Sequence, residues 1–244
     1  MSPEASRMTM IEFGEAMRRG AWVLVPIGST EEHGSHLPLG SDMIQAEYVC
    51  RAVGREVGGV VAPGIPYGLC GSTRNFPGTI SLTFGTLEAL VREVLVGYAG
   101  KGARKIAMLS GHAGGAHMVA LRQAALSLVT RDEGLIILVF DPYDIPLPAA
   151  EEKGPIAGDG HAGSVETSVM LAIEEGLVRA DRIPEGKPLR LPRFQVLSHP
   201  ELLFPSGVMG ETSGASRAFG KHALDHIVAE IVAVLRSAGT ESGR

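Results

Sequence analysis

The chain has 244 residues, 45% of them hydrophobic and 5% aromatic, with 22 basic against 27 acidic side chains and a formal net charge of −5. That length suits one large α/β domain over residues 1–244, and the apolar content suffices to cover a sheet on both faces. Few aromatics and no Lys/Arg stripe exclude a base-stacking platform, a nucleic-acid partner and an acidic membrane surface.

Thr9 followed by Glu12 has the spacing of a capping box, and Ile11, Phe13 and Met17 recur at helical intervals, which predicts a helix over residues 9–19. "AWVLVPIG" reads as a buried strand. Asp42 precedes "MIQAEYVCRAVGREV", where Ile44, Tyr48, Val49, Val53 and Val57 share one helix face and Asp42 stands as the N-cap. "GGVVAPGIPYG" is a short strand running into a turn. The irregular stretch "GLCGSTRNFPGTISLTFG" has a length that usually carries function, and Thr86 opens a helix through about Gly100. "ARKIAMLS" is a strand, "GAHMVALRQAALSLVTR" a helix, "GLIILVF" a strand and "DPYDIPLPAAEEKGPIAGDG" an irregular connector. "VETSVMLAIEEG" forms a helix starting near Ser164, and an amphipathic helix from about Ser216 to Arg236 closes the chain. Helices alternating with apolar strands predict βαβ units and a mainly parallel sheet covered on both sides.

Cys50 and Cys70 are the only cysteines and form no C-x-x-C, which reads as a reduced, cytoplasmic chain; Cys70, near the expected pocket, reads as a buried structural thiol rather than a reactive one, which is the alternative. "MSPEASRMTMIEF" lacks the apolar stretch of a signal peptide, and no apolar run approaches the roughly 18 residues of a membrane span.

Five of the eight histidines, His33, His36, His112, His117 and His161, fall in three glycine-bounded segments, "EEHGSH", "SGHAGGAH" and "GDGHAGSVETS". The first two follow directly on strands, beyond the carboxyl ends where open α/β folds build their sites. A borderline divalent metal accepts imidazole nitrogen and carboxylate oxygen, and two metals about 3.5–4 Å apart need a bridging carboxylate. Glu31, His33 and Asp42 supply such a set, since residues two apart in an extended segment project to the same side. His112 adds a donor from the next strand end, and Glu166 closes the set from the first turn of its helix. Read singly, each residue has a plainer role: Asp42 as an N-cap, Glu31 as a solvated loop residue, His112 as a turn-bonding imidazole. His117 reads as structural, and His199, His222 and His226 as surface or packing residues. The loop 70–79 carries Arg74 and Asn75 as candidate substrate contacts; Arg74 suits an anionic group and reads equally well as a solvated cation.

At these residues the chain resembles the creatininase (creatinine amidohydrolase) family. "VPIGSTEEHGSHLPLGSD" is similar to its opening signature Gly-(Ser/Ala)-x-Glu-Gln-His-Gly-x-His-Leu-Pro with a closing Asp. "NFPGTISL", "LSGHAGGAH" and "GHAGSVETSVML" resemble its next three motifs in order, over residues 22–173, whereas the last seventy residues match loosely through "PSGVMGETSGAS". The resemblance implies a three-layer αβα fold, a homohexamer, and a hydrolase of linear or cyclic amides with two divalent metals per subunit, zinc, manganese or iron. Carried over, Glu31 and His112 hold one metal, His33 the other, Asp42 bridges them, and His161 shuttles a proton near the substrate.

The pattern departs from the family at several positions. Where creatininases carry a metal-binding glutamate two residues after the histidine matching His112, this chain has Gly114, and Glu166 is the candidate replacement or an orienting group beside a histidine. The family's pocket tryptophans align with Tyr143, a candidate substrate contact, and Ala157; the single tryptophan, Trp22, precedes the first motif, which weighs against creatinine as substrate. Ser110 stands for the usual Asn, and Ser35 for a frequent Pro.

The implied chemistry is attack on an amide carbonyl by a water whose pKa a metal lowers from 15.7 to about 7, with His161 protonating the leaving nitrogen. A formylaminopyrimidine-nucleotide deformylase and a peptidase trimming a redox-cofactor precursor share these motifs. A rival of another class is a metal-free protein cradling phosphate on the backbone of "SGHAGGAH". No G-x-S-x-G elbow supports a serine nucleophile.

Overall fold

The computed structural model describes residues 4–141, 145, 159–192 and 194–241. Most of the connector after the fourth strand, with Tyr143 and Ala157, lies outside the described residues. Strands β1 (Val23–Ile27), β2 (Val60–Val61), β3 (Lys105–Ser110) and β4 (Ile136–Phe140) form one sheet in the order β2-β1-β3-β4, with every neighbouring pair parallel. Helices α1 (Met10–Arg18), α2 (Ser41–Val57), α3 (Phe84–Gly100), α4 (Gly115–Val129), α5 (Ser164–Glu174) and α6 (Arg217–Glu241) cover it.

Side chains alternate across a strand, so each central strand feeds two cores. Val23, Val25 and Ile27 of β1 and Ile106 and Met108 of β3 pack with Met17, Leu87, Val91, Leu95 and Leu121 from α1, α3 and α4. Leu24, Ala107 and Leu109 point the other way, onto Trp22 and the Val49, Val53, Val169, Phe219 and Leu235 of α2, α5 and α6. The result is the expected three-layer αβα arrangement. Continuous apolar runs make β1 and β3 legible because both faces are buried.

Local signals mostly hold. Thr9 and Glu12 form the reciprocal capping box at α1: the Glu12 N–H donates to the Thr9 hydroxyl at 3.4 Å and the Thr9 N–H to the Glu12 carboxylate at 2.7 Å. Two expectations need correction. Helix α3 starts at Phe84, capped by Thr83, whose hydroxyl accepts from the Thr86 N–H; Thr86 lies inside the first turn. Helix α2 starts at Ser41 with Gly40 in the cap position, so Asp42 is not the N-cap, and its carboxylate is engaged elsewhere.

Two glycines explain where Asp42 stands. A Cβ on Gly28, just past β1, would come within 2.6 Å of the Met43 nitrogen, and one on Gly111, just past β3, would run into the Asp42 carbonyl oxygen. Both strand ends therefore press on the first turn of α2, an approach that only glycine permits.

Candidate metal centre

The site grows from those carboxyl ends. The loop after β1 turns Glu31 and His33 inward, the start of α2 adds Asp42, the end of β3 leads to His112, and α5 with the turn before it adds His161 and Glu166. Asp42 lies in the middle. Its Oδ1 is 3.0 Å from His33 Nε2, and its Oδ2 is 3.2 Å from His112 Nδ1, while the Ser29 hydroxyl donates to Oδ2 at 2.5 Å. Glu31 Oε2 is 2.8 Å from His112 Nδ1, and Thr73 donates to its other oxygen. Glu166 Oε2 is 3.8 Å from His33 Nε2 and accepts from the Ala162 N–H at 2.6 Å.

Both central histidines carry the orientation of metal ligands. His33 Nδ1 lies 3.1 Å from the Glu31 carbonyl oxygen and His112 Nε2 lies 3.1 Å from the Leu69 carbonyl oxygen, so a proton on each of these nitrogens leaves the other as a donor facing the carboxylates. The donors fall into two sets, Glu31, Cys70 and His112 in one, His33, His161 and Glu166 in the other, with the ligand atoms of each set within 4.8 Å of one another. Asp42 stands between them.

Burial shapes the charges. Burial disfavours an imidazolium at His33, yet Asp42, then Glu166 and Glu31, outweigh it and lift the ring to about 10; His112 rises in the same way on its bonds to Asp42 and Glu31. Glu31 would be raised by burial, but His112 holds it down at about 2. Burial, with Asp42 adding to it, raises Glu166, although His33 and His161 pull the other way. Glu31 and Asp42 are thus held ionised in a buried place where only positive charge balances them, which fits divalent metal binding.

The second set is held by features that local spacing does not announce. The Asp159 carboxylate accepts the Ser164 and Val165 N–H groups at 3.0 and 2.7 Å, anchoring the start of α5 from five and six residues upstream. Ala162 sits at φ 55, in the left-handed region, between His161 and the helix. His161 Nε2 lies 2.7 Å from the Glu32 carbonyl oxygen and 3.2 Å from its carboxylate. Glu32 was absent from the expected site because neighbours in an extended segment face opposite ways; Ser29 and Thr73 carried no sequence signal beyond their hydroxyls.

A cavity of about 370 Å³ opens on the cluster, lined by Glu31, Asp42, His112, His161, Glu166 and Met209 among others. Arg74 and Asn75 do not line it. Arg74 donates to the Leu197 and Ser198 carbonyls at 2.7 and 2.9 Å, and Asn75 to Ser198 and to the Glu201 carboxylate. Tyr143 is outside the described residues. His117 is structural, as expected: its Nδ1 accepts from the Leu69 N–H at 3.2 Å, its ring meets His112 edge-on, and burial beside His112 keeps it neutral, at about 3. His36 bonds the Thr167 hydroxyl at 2.8 Å, and His199 pairs with Glu201 at 2.9 Å on the surface. At Gly114 a Cβ would stand 2.5 Å from His112 Nε2, so the ring as seated excludes the glutamate that the family carries there.

A parallel αβα sandwich with buried histidines and carboxylates at its strand ends is an α/β enzyme architecture with candidate metal-ligating groups where such folds build their sites. The creatininase family description, creatinine amidohydrolase, matches residues 6–235, and the chain belongs to this family of hydrolases. It is 35% identical over 226 residues to the mycofactocin precursor peptide peptidase of Mycolicibacterium smegmatis, covering 86% of this chain and 81% of that one. It is 28% identical over 245 residues to the creatinine amidohydrolase of Pseudomonas putida, covering 94% of each. A solved glutamate-to-glutamine mutant of creatininase, of the Zn-Zn type, superposes with a TM-score of 0.90 at 25% identity over 98% of both chains. Among the described residues no helix is long and apolar enough to cross a membrane.

Proposed function

We propose that this chain is a metal-dependent amidohydrolase that cleaves a C–N bond of a linear or cyclic amide at the Asp42 centre. The observation that carries the reading is Asp42 itself, one oxygen toward His33 and the other toward His112, with a donor set on either side. Glu31 and His112 would hold one divalent cation, His33 and Glu166 the other, with Asp42 between them. When bound, the pair supplies Lewis acidity and a water ionised near neutral pH, whether the metal is zinc, manganese or iron.

The chain's own residues do the rest. His161 lines the cavity; burial and the charge on His33 disfavour its protonation, but Glu32, Glu31 and Glu166 prevail and raise it, which suits an acid that protonates a leaving nitrogen. Arg74 and Asn75 keep their proposed place as substrate contacts, on the loop whose Ser72 lines the cavity. Tyr143 keeps its proposed place as a substrate contact.

Creatinine is disfavoured as substrate, since the one tryptophan, Trp22, is buried in the core behind the sheet. A second reading within the family, cleavage of a peptide, draws support from the 35% identity to the mycofactocin precursor peptide peptidase. A formylaminopyrimidine nucleotide remains a substrate to assay. Phosphate binding without metal is not favoured, because Glu31, Asp42 and Glu166 give the cavity a carboxylate wall. The same proposal includes a cytoplasmic protein with both cysteines free, and a homohexamer that would cover the exposed Phe194 and Val196; light scattering measures the assembly.

The deciding experiment is elemental analysis of metal-replete protein beside the Glu31→Gln and His112→Ala variants, with amide, lactam, formamide and peptide substrates. Metal is expected in the parent and lost, with activity, in both folded variants. Unchanged metal in the two variants refutes the ligand assignment.

A further inference from the structure

One donor in the centre is softer than its companions. Cys70 lies in the irregular stretch after β2, fully buried, with its Sγ, a Glu31 oxygen and a His112 nitrogen all within 4.8 Å of one another. A buried cysteine is most often a small apolar filler. Cys50 is that: it sits in α2 among Trp22, Leu24, Val49 and Val53. Cys70 differs, because it belongs to none of the hydrophobic clusters formed by the described residues.

The backbone around Cys70 is fixed from both sides. Its N–H donates to the Ser81 hydroxyl at 2.9 Å, and the carbonyl of the preceding Leu69 lies 3.1 Å from His112 Nε2. The peptide next to the thiol thus orients the imidazole that the thiol faces. This half of the centre has one carboxylate of its own, Glu31, besides the shared Asp42.

We propose that Cys70 is a thiolate ligand to the cation held by Glu31 and His112, which makes the centre chemically unequal. This rests on the metal-centre reading above. On loading, the S–H bond breaks, its proton leaves to solvent and a sulfur–metal bond forms. A thiolate with imidazole and carboxylate prefers zinc to manganese, whereas His33, Glu166 and the shared Asp42 offer the other cation only nitrogen and oxygen donors, which accept either.

Cobalt reports sulfur directly. Full-length protein saturated with Co²⁺ is expected to show a near-ultraviolet sulfur-to-cobalt charge-transfer band, lost in Cys70→Ser and kept in Cys50→Ala. Zinc-loaded parent protein is expected to show a sulfur scatterer at about 2.3 Å by X-ray absorption, a measurement that needs no variant to fold. Zinc affinity in Cys70→Ser is expected to fall at least about tenfold by chelator competition, since even groups outside the coordination shell are worth that much, with manganese affinity changed far less. Parent protein that binds cobalt through nitrogen and oxygen alone overturns the Cys70 assignment and leaves the metal centre standing. Parent protein that binds no metal overturns both.

Discussion

Asp42 shows how one side chain can be read correctly for the wrong local reason. Its place at the start of a helix is what capping chemistry suggests, yet Gly40 takes the cap position and the carboxylate turns to His33 and His112. Without metal, protons on those imidazoles balance the carboxylates. The raised His33 contributes stability that is full below its ordinary value of 6.5 and is lost as pH rises through about 10; the lowered Glu31 contributes above 4.5 and loses it as pH falls through about 2. Chelator-stripped protein should therefore melt highest between about pH 4.5 and 6.5 and weaken toward pH 10, while loaded protein should not show the alkaline loss. Equal alkaline slopes with and without chelator would contradict this charge balance. Glu32 supports a second prediction. Glu32→Gln removes the carboxylate 3.2 Å from His161 Nε2 but keeps the backbone carbonyl contact, so the pH–rate profile should shift its alkaline limb, where the acid His161 loses its proton, to lower pH with metal content unchanged. Glu31, His33, Asp42, His112, His161 and Glu166 were legible because clustered imidazoles and carboxylates are a rare combination. Glu32 and Cys70 stand outside the expected ligand set, because what they meet lies 129 and 42 residues away in the chain.

Among the elements, the meeting of β1, β3 and α2 decides where the donors point. Gly111→Ala would drive a methyl group into the Asp42 carbonyl and push the first turn of α2 off the strand ends. The expected outcome is a protein with its helical circular dichroism intact, destabilised by about 1–3 kcal/mol, and with metal affinity reduced, since Asp42 moves with its helix. Gly97 in α3 provides the contrast: a Cβ there meets nothing within 4 Å, so Gly97→Ala should stabilise the fold by about 0.5–1 kcal/mol and leave metal content unchanged. If both alanine variants behave alike in chelator competition, the close approach at Gly111 has no part in holding the centre. Strand and helix order could be read from apolar periodicity, but this contact could not. A glycine between a strand and a helix looks the same in sequence whether it faces solvent or another backbone.

At the scale of the whole molecule, the centre ties distant parts of the chain together. Glu31 and His33 come from the first quarter, His112 from the middle, His161 from the turn before α5 and Glu166 from α5 itself, which in turn packs on α6. Parallel sheets make such gatherings possible because every strand ends on the same side, and they leave their geometry to tertiary contacts rather than to local sequence. Cations that bind only the folded arrangement must stabilise it, by about 2.7 kcal/mol for a site at a hundredfold excess over its dissociation constant. Removal of metal should lower the melting temperature and, more specifically, raise amide exchange in α5, because Glu166 would lose its attraction to the cluster while the apolar packing of β1 and β3 stays intact. Exchange that rises evenly over all helices, or not at all, would show that α5 is held by its packing on α6 and by Asp159 alone, with no contribution from the metal centre.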